Sequence, residues 1–158
     1  MTIADDSPRT DSVSRVILAP PRKLYRAHLD PDMMSRWRAP EGMTAKILSF
    51  DGRLGGEYRM ALHYDAAEPG DGKSEPGIDR FSGTFEELVR DEKIVERIRF
   101  ESDDPAFAQS MLITTTLRAV KGGTKVTMVC SEVSPAISHE DHLAGMASSL
   151  RLLAQLIE

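Results

Sequence analysis

The chain has 158 residues, a length at which a single domain removes about 68–70% of its unfolded surface from water and needs no staples. Its 20 Lys and Arg against 25 Asp and Glu give a net charge of −5, which argues against a nucleic-acid partner, and no apolar run approaches the roughly 20 residues that cross a bilayer. The one cysteine, Cys130, excludes an internal disulfide, and the acidic first residues are unlike a secretory signal, so a reducing, cytoplasmic setting is expected.

Residues 1–11 are polar, contain Pro8 and lack an apolar period, which predicts a loose tail ahead of a domain over 12–158. Ser12 to Leu18 predicts a first strand, stopped by Pro20-Pro21, where a helix starts. Leu24, Tyr25, His28 and Leu29 form one helical face. Asp30-Pro31-Asp32 is a second start signal, with Asp30 as N-cap of a short helix carrying Met33, Met34 and Trp37. From Met43 the apolar period changes to two, predicting strands near 43–51, 56–64, 79–89, 93–101, 109–120 and 124–133. Turn residues separate them, apart from the Gly-, Pro- and acid-rich stretch Asp65 to Gly77, which is too long for a tight turn and predicts a solvated insertion or a lid. A final helix is expected over 138–157, capped by Ser138 with Asp141 three residues on. Leu143, Met146, Leu150, Leu153 and Ile157 form its buried stripe, and Gly145, Ser149, Leu152 and Leu156 a second arc. That arc must be covered by the short helices, a ligand or a second copy, so a homodimer is one expectation.

The order strand, two short helices, six strands, long helix resembles the helix-grip or START-like (SRPBCC) fold, the superfamily of polyketide cyclases and the birch-pollen allergen. Ala19-Pro20-Pro21, Asp30-Pro31 with Trp37, and Asp51-Gly52-Arg53-Leu54-Gly55-Gly56-Glu57-Tyr58 resemble homologues of the activator of heat-shock-protein-90 ATPase. Gly83-Thr84-Phe85-Glu86-Glu87, Gly122-Gly123-Thr124-Lys125-Val126-Thr127-Met128 and His142-Leu143-Ala144-Gly145-Met146 continue the match, which covers about residues 13–157. Two departures stand out: the second helix has one Trp where many members have a pair, and Met146 follows Gly145 where many have Trp. The resemblance implies an α+β domain in which a curved antiparallel sheet of about seven strands wraps the C-terminal helix. It also implies an internal cavity.

Strand parity identifies the inner face without the family, because alternate side chains face opposite sides of a sheet. In Ile94-Val95-Glu96-Arg97-Ile98-Arg99-Phe100, Glu96 shares its parity with Ile94, Ile98 and Phe100, while Arg97 and Arg99 share the other. An inward carboxylate needs a partner, such as an inward Arg. Adding the helices, the candidate cavity set is Trp37, Tyr58, Met60, Phe81, Phe85, Glu96, Ile98, Thr115, Met128, Met146 and Leu150. The alternative for each is ordinary core packing. Sparse polar atoms on an apolar, Met-rich face suit a small hydrophobic molecule carrying one or two polar groups.

Other motifs carry no chemistry. His139 and His142 are spaced i, i+3 rather than the i, i+4 of a zinc-protease helix, so they read as solvated first-turn residues. Cys130 is an inward, inert thiol. Gly52 and Gly55-Gly56 lack the Lys-Ser/Thr of a phosphate loop, and Glu86-Glu87, adjacent on a strand, should point opposite ways. With no nucleophile, metal or cofactor motif, a non-catalytic binding or carrier module is expected. The alternatives are a cyclase- or aromatase-like enzyme with Glu96 and Tyr58 as its acid–base groups, and a chaperone-associated stress-response protein. The last is disfavoured because the chain lacks the activator's further N-terminal domain.

Overall fold

The computed structural model describes residues 8–158. Strand β1 (Arg9–Ile17) is followed by helices α1 (Pro21–Leu29) and α2 (Pro31–Trp37). Then come strands β2 (Met43–Phe50), β3 (Glu57–Tyr64), β4 (Ile78–Val89), β5 (Lys93–Phe100), β6 (Met111–Val120) and β7 (Gly123–Val133), and helix α3 (His139–Ile157). All neighbouring strands are antiparallel, in the order β1-β7-β6-β5-β4-β3-β2, so β1 skips five strands in sequence to lie on β7. The long crossover is made by α1 and α2, which with α3 cover the inner face of this seven-stranded sheet. This is the helix-grip α+β fold.

The local signals act where expected. Pro21 opens α1, and the Asp30 carboxylate accepts from the Asp32 and Met33 backbone N–H groups to start α2. The Ser138 hydroxyl accepts from Asp141 N at the start of α3. Alternation on β5 places Ile94, Glu96 and Ile98 in the interior, while Arg97 pairs on the outer face with Glu86 and Glu132. Met146, Leu150 and Leu153 of α3 are buried against that interior.

Four expectations need correction. β1 begins at Arg9 and not at Ser12, because Asp11 pairs with Cys130 on β7 and its carboxylate is tied down; residues 1–7 of the expected tail lie outside the described residues. Residues 65–70 are exposed, as expected of a solvated insertion, but the second half of the stretch folds back on β4, with Ser74 bonded to Arg80 and Lys73 to Asp79, and forms a wall. Gly72 makes this possible: at φ +100 it sits where L residues are strained, and a Cβ there would fall 2.1 Å from Glu75 O. Glu86 and Glu87 are both exposed, because a bulge between Phe85 and Glu87 inserts a residue and resets the parity, turning Leu88 toward Ile94. A 3₁₀ turn (Pro105–Phe107), capped by Asp104, fills the connection from β5 to β6, and β6 accordingly starts at Met111. On the second arc of α3, one of the covers open to it is the chain itself: Ser149 donates to Arg38 O, and Pro40 packs over Gly145.

Candidate functional site: a buried ion pair beside an open cavity

The interior divides into two ends. At one, the C-terminal half of α3 is packed solid, with Leu150 and Leu153 buried among Leu24, Phe85, Ile94 and Val126. At the other, around the N-terminal half of α3, the sheet and helix separate and leave a cavity of about 750 Å³. Its apolar floor is Phe81, Ile98, Phe100, Met111, Ile113 and Met128, and Met146 lines it from α3. The segment after α2 (38–43) and the folded-back stretch carrying Asp71 and Lys73 form the remaining walls. A volume in the range of about 300–1,000 Å³ is that of small-molecule sites.

Parity therefore located the face, and position along each strand decided depth. Of the candidate set, Phe81, Ile98, Met128 and Met146 border the cavity. Tyr58, Met60, Phe85, Glu96, Thr115, Trp37 and Leu150 are buried but do not border it. Trp37 is a structural pin: its Nε1–H donates to Ala27 O at 2.9 Å and its ring meets His28 edge-on, fastening α2 to α1. His28 Nδ1, 2.8 Å from Leu24 O, must be the donor, and burial lowers its pKa, so the ring is neutral.

Glu96, fully buried, has the partner it requires. Arg38 Nη1 donates to its Oε1 and Oε2 at 3.2 and 3.5 Å, and the Tyr58 hydroxyl donates to Oε1 at 2.6 Å. Arg38 comes from the end of α2, and its guanidinium also lies 5.6 Å from the Trp37 ring. Burial alone would lower the Arg38 pKa, but the Glu96 carboxylate outweighs it and the group stays cationic. Burial raises the Tyr58 pKa far above its ordinary value, so the phenol remains a donor. Gly83 lets the Tyr58 ring lie flat on β4, since a Cβ there would fall 2.2 Å from Tyr58 Cζ. Arg38 was absent from the candidate set because a charged residue at a helix end reads as solvated. Only the crossover carries it inward.

The mouth of the cavity is polar. Asp79 accepts from Tyr64 Oη (3.1 Å), Lys73 N (2.7 Å) and Lys73 Nζ (3.0 Å), and Lys73 Nζ also sits over Phe100. His139 stays largely exposed as expected, whereas His142 is drawn inward; both place their Nδ1 atoms 2.7 Å from the two oxygens of Asp11, which also accepts from Arg9. Burial pushes the Asp11 pKa up, but these hydrogen bonds prevail and hold it down at about 2. The cluster ties the edge strand to the first turn of α3. Among the described residues no group of His, Cys, Asp and Glu is arranged to hold a metal. Cys130 borders the cavity as a free thiol whose pKa burial raises to about 12. A second depression of about 630 Å³ lies between α1 and the β4–β5 turn, lined by Arg22, Lys23, Arg26 and Arg90 together with Tyr25, Leu29 and Asp91, and shares no residue with the cavity. No helix among the described residues is long and apolar enough to cross a membrane.

A sheet gripping one long helix above an open-ended cavity defines a START-like domain. The chain belongs to the Activator of Hsp90 ATPase homolog 1-like protein family, whose model matches residues 18–158. Among solved structures, it is similar to protein CV1439 from Chromobacterium violaceum, with 33% identity, a TM-score of 0.82, and coverage of 96% of this chain and 99% of that one. A protein from Rhodobacter sphaeroides, at 19% identity and TM-score 0.75 over 98% and 95% of the two chains, shares the fold. So does MLL2253 from Mesorhizobium loti, at 23% and 0.68 over 94% and 96%. None of the curated proteins matches the chain.

Proposed function

We propose that this protein is a non-catalytic binding or carrier module for a small, largely hydrophobic molecule held between the sheet and the N-terminal half of α3. The observation that carries this reading is the cavity of about 750 Å³ floored by Phe81, Ile98, Phe100, Met111, Ile113 and Met128. Had side chains filled this end as they fill the other, there would be no room for a ligand. Met111, Met128 and Met146 are unbranched and adapt to varied shapes, which suits a carrier. The reduced Cys130 in its wall fits a cytoplasmic setting.

A cyclase-like reading would use Glu96 as base, but its two oxygens are engaged by Arg38 and Tyr58, and Glu96 does not border the cavity. A base must come within hydrogen-bond reach of the proton it removes. A chaperone-associated role has only the family's description behind it.

The test is titration with N-phenyl-1-naphthylamine, an uncharged probe that fluoresces in apolar surroundings, paired with native mass spectrometry of freshly purified protein. Saturable binding that is lost in Ile98→Trp, which fills the cavity floor, supports the reading. Probe binding that is unaffected by Ile98→Trp in a variant that still folds, or no binding at all, overturns it.

A further inference from the structure

The cavity's polar equipment selects among apolar ligands. Arg38 is the cation set deepest in its wall, 8% exposed. Its donors are unevenly used. Nη1 is engaged by Glu96 and by the Met34 sulfur, and one Nη2–H reaches the Tyr58 oxygen at a long 3.4 Å. Nε makes no hydrogen bond among the described residues, yet it is not fully sealed from solvent. The space that Arg38 borders is this cavity. Nε–H and the adjacent Nη2–H form the side edge of a guanidinium, two near-parallel donors that fit an acceptor oxygen.

Charge decides what kind of acceptor. Arg38 is already neutralised by Glu96, Lys73 at the mouth by Asp79, and Glu41 by Arg151, while His142 in the wall is engaged by Asp11. Asp71 and Asp141, which also border the cavity, make no ion pair among the described residues. The balance is therefore negative. A carboxylate entering would be stripped of water, meet a cation whose charge is spent, and pass two free acids. An uncharged acceptor meets the same two donors without those costs. Resting on the binding function above, we infer that the ligand class is an uncharged molecule with an apolar body and a carbonyl-type oxygen, received by the side edge of Arg38.

Three probes of matched shape test this by titration calorimetry: 2-acetylnaphthalene, 2-ethylnaphthalene and 2-naphthoate. The acetyl compound is expected to bind about tenfold tighter than the ethyl compound, the value of a hydrogen bond from a charged donor, and tighter still than the naphthoate. In Arg38→Met/Glu96→Gln, which removes the pair together and leaves no unmatched charge, the advantage of acetyl over ethyl should vanish while ethyl binding stays. Equal affinity of acetyl and ethyl compounds for the parent overturns the inference and leaves the binding function standing, as does tightest binding of the naphthoate. An advantage that survives in the double variant overturns the assignment to Arg38. If the double variant does not fold, the three parent affinities decide. Failure of all three probes to bind overturns the binding function and this inference with it.

Discussion

Replacing Glu96 with Gln isolates what the buried ion pair does for stability. The side chain keeps its shape and an oxygen for the Tyr58 hydroxyl at 2.6 Å, but Arg38 loses its counter-charge and faces an amide that also donates. Breaking a buried pair by removing one partner costs about 3–5 kcal/mol. Two features of this pair reduce that. Its contacts are long, at 3.2 and 3.5 Å, and Arg38 borders the cavity, where water can reach its free edge. The expected loss is therefore about 2–4 kcal/mol, and for a chain of this size a lowering of Tm by roughly 5–15 °C. Urea denaturation should show the midpoint falling with an unchanged slope, since the surface exposed on unfolding is the same. Arg38→Met/Glu96→Gln should recover most of the loss, to within about 1 kcal/mol of the parent, because no charge is then left alone in the interior. A single variant within about 0.5 kcal/mol of the parent, or a double variant no better than the single, would refute the reasoning.

Three further outcomes are expected. Asp11, held down at about 2 from an ordinary 3.8, contributes stability that is present above about pH 4 and lost as pH falls toward 2; the gap between the parent and Asp11→Asn in acid melts, about 1–2 kcal/mol because His139 is largely exposed, should shrink over that window, and a gap that is constant down to pH 2 argues against the Arg9–His139–His142 cluster as its cause. Cys130, raised to about 12 by burial, should resist iodoacetamide at pH 8 in the folded protein and react once the chain is unfolded in urea; rapid native alkylation would mean the cavity end opens widely. Asp30→Ala removes the cap of α2 and should cost about 1 kcal/mol in chemical denaturation, whereas a loss below the error of the measurement would show that α2 is held by Trp37 alone.

Much of this architecture is written in local signals. Pro21, Asp30-Pro31 and Ser138 start helices through their own backbone chemistry, so the order of elements follows from neighbours in the chain. Alternation on β5 likewise settles that Glu96 points inward and Arg97 outward, because a strand permits only two faces. Such periodicity is blind to bulges. At Phe85/Glu87 and Ile47/Ser49 one inserted residue swaps the faces, and nothing local marks it. Periodicity is equally blind to position along the barrel-like axis: Phe85 and Phe81 share a strand face, yet Phe85 is sealed in the core while Phe81 floors the cavity. That difference depends on where α3 diverges from the sheet, a distance set by packing at the other end. The partners of the inward and edge charges were beyond reach for the same reason. Arg38 lies 58 residues from Glu96, and Asp11 lies 128 and 131 residues from His139 and His142. Composition and spacing establish that an inward carboxylate must be matched. Only the crossover of α2 over the sheet, and the return of β1 to β7, determine by what.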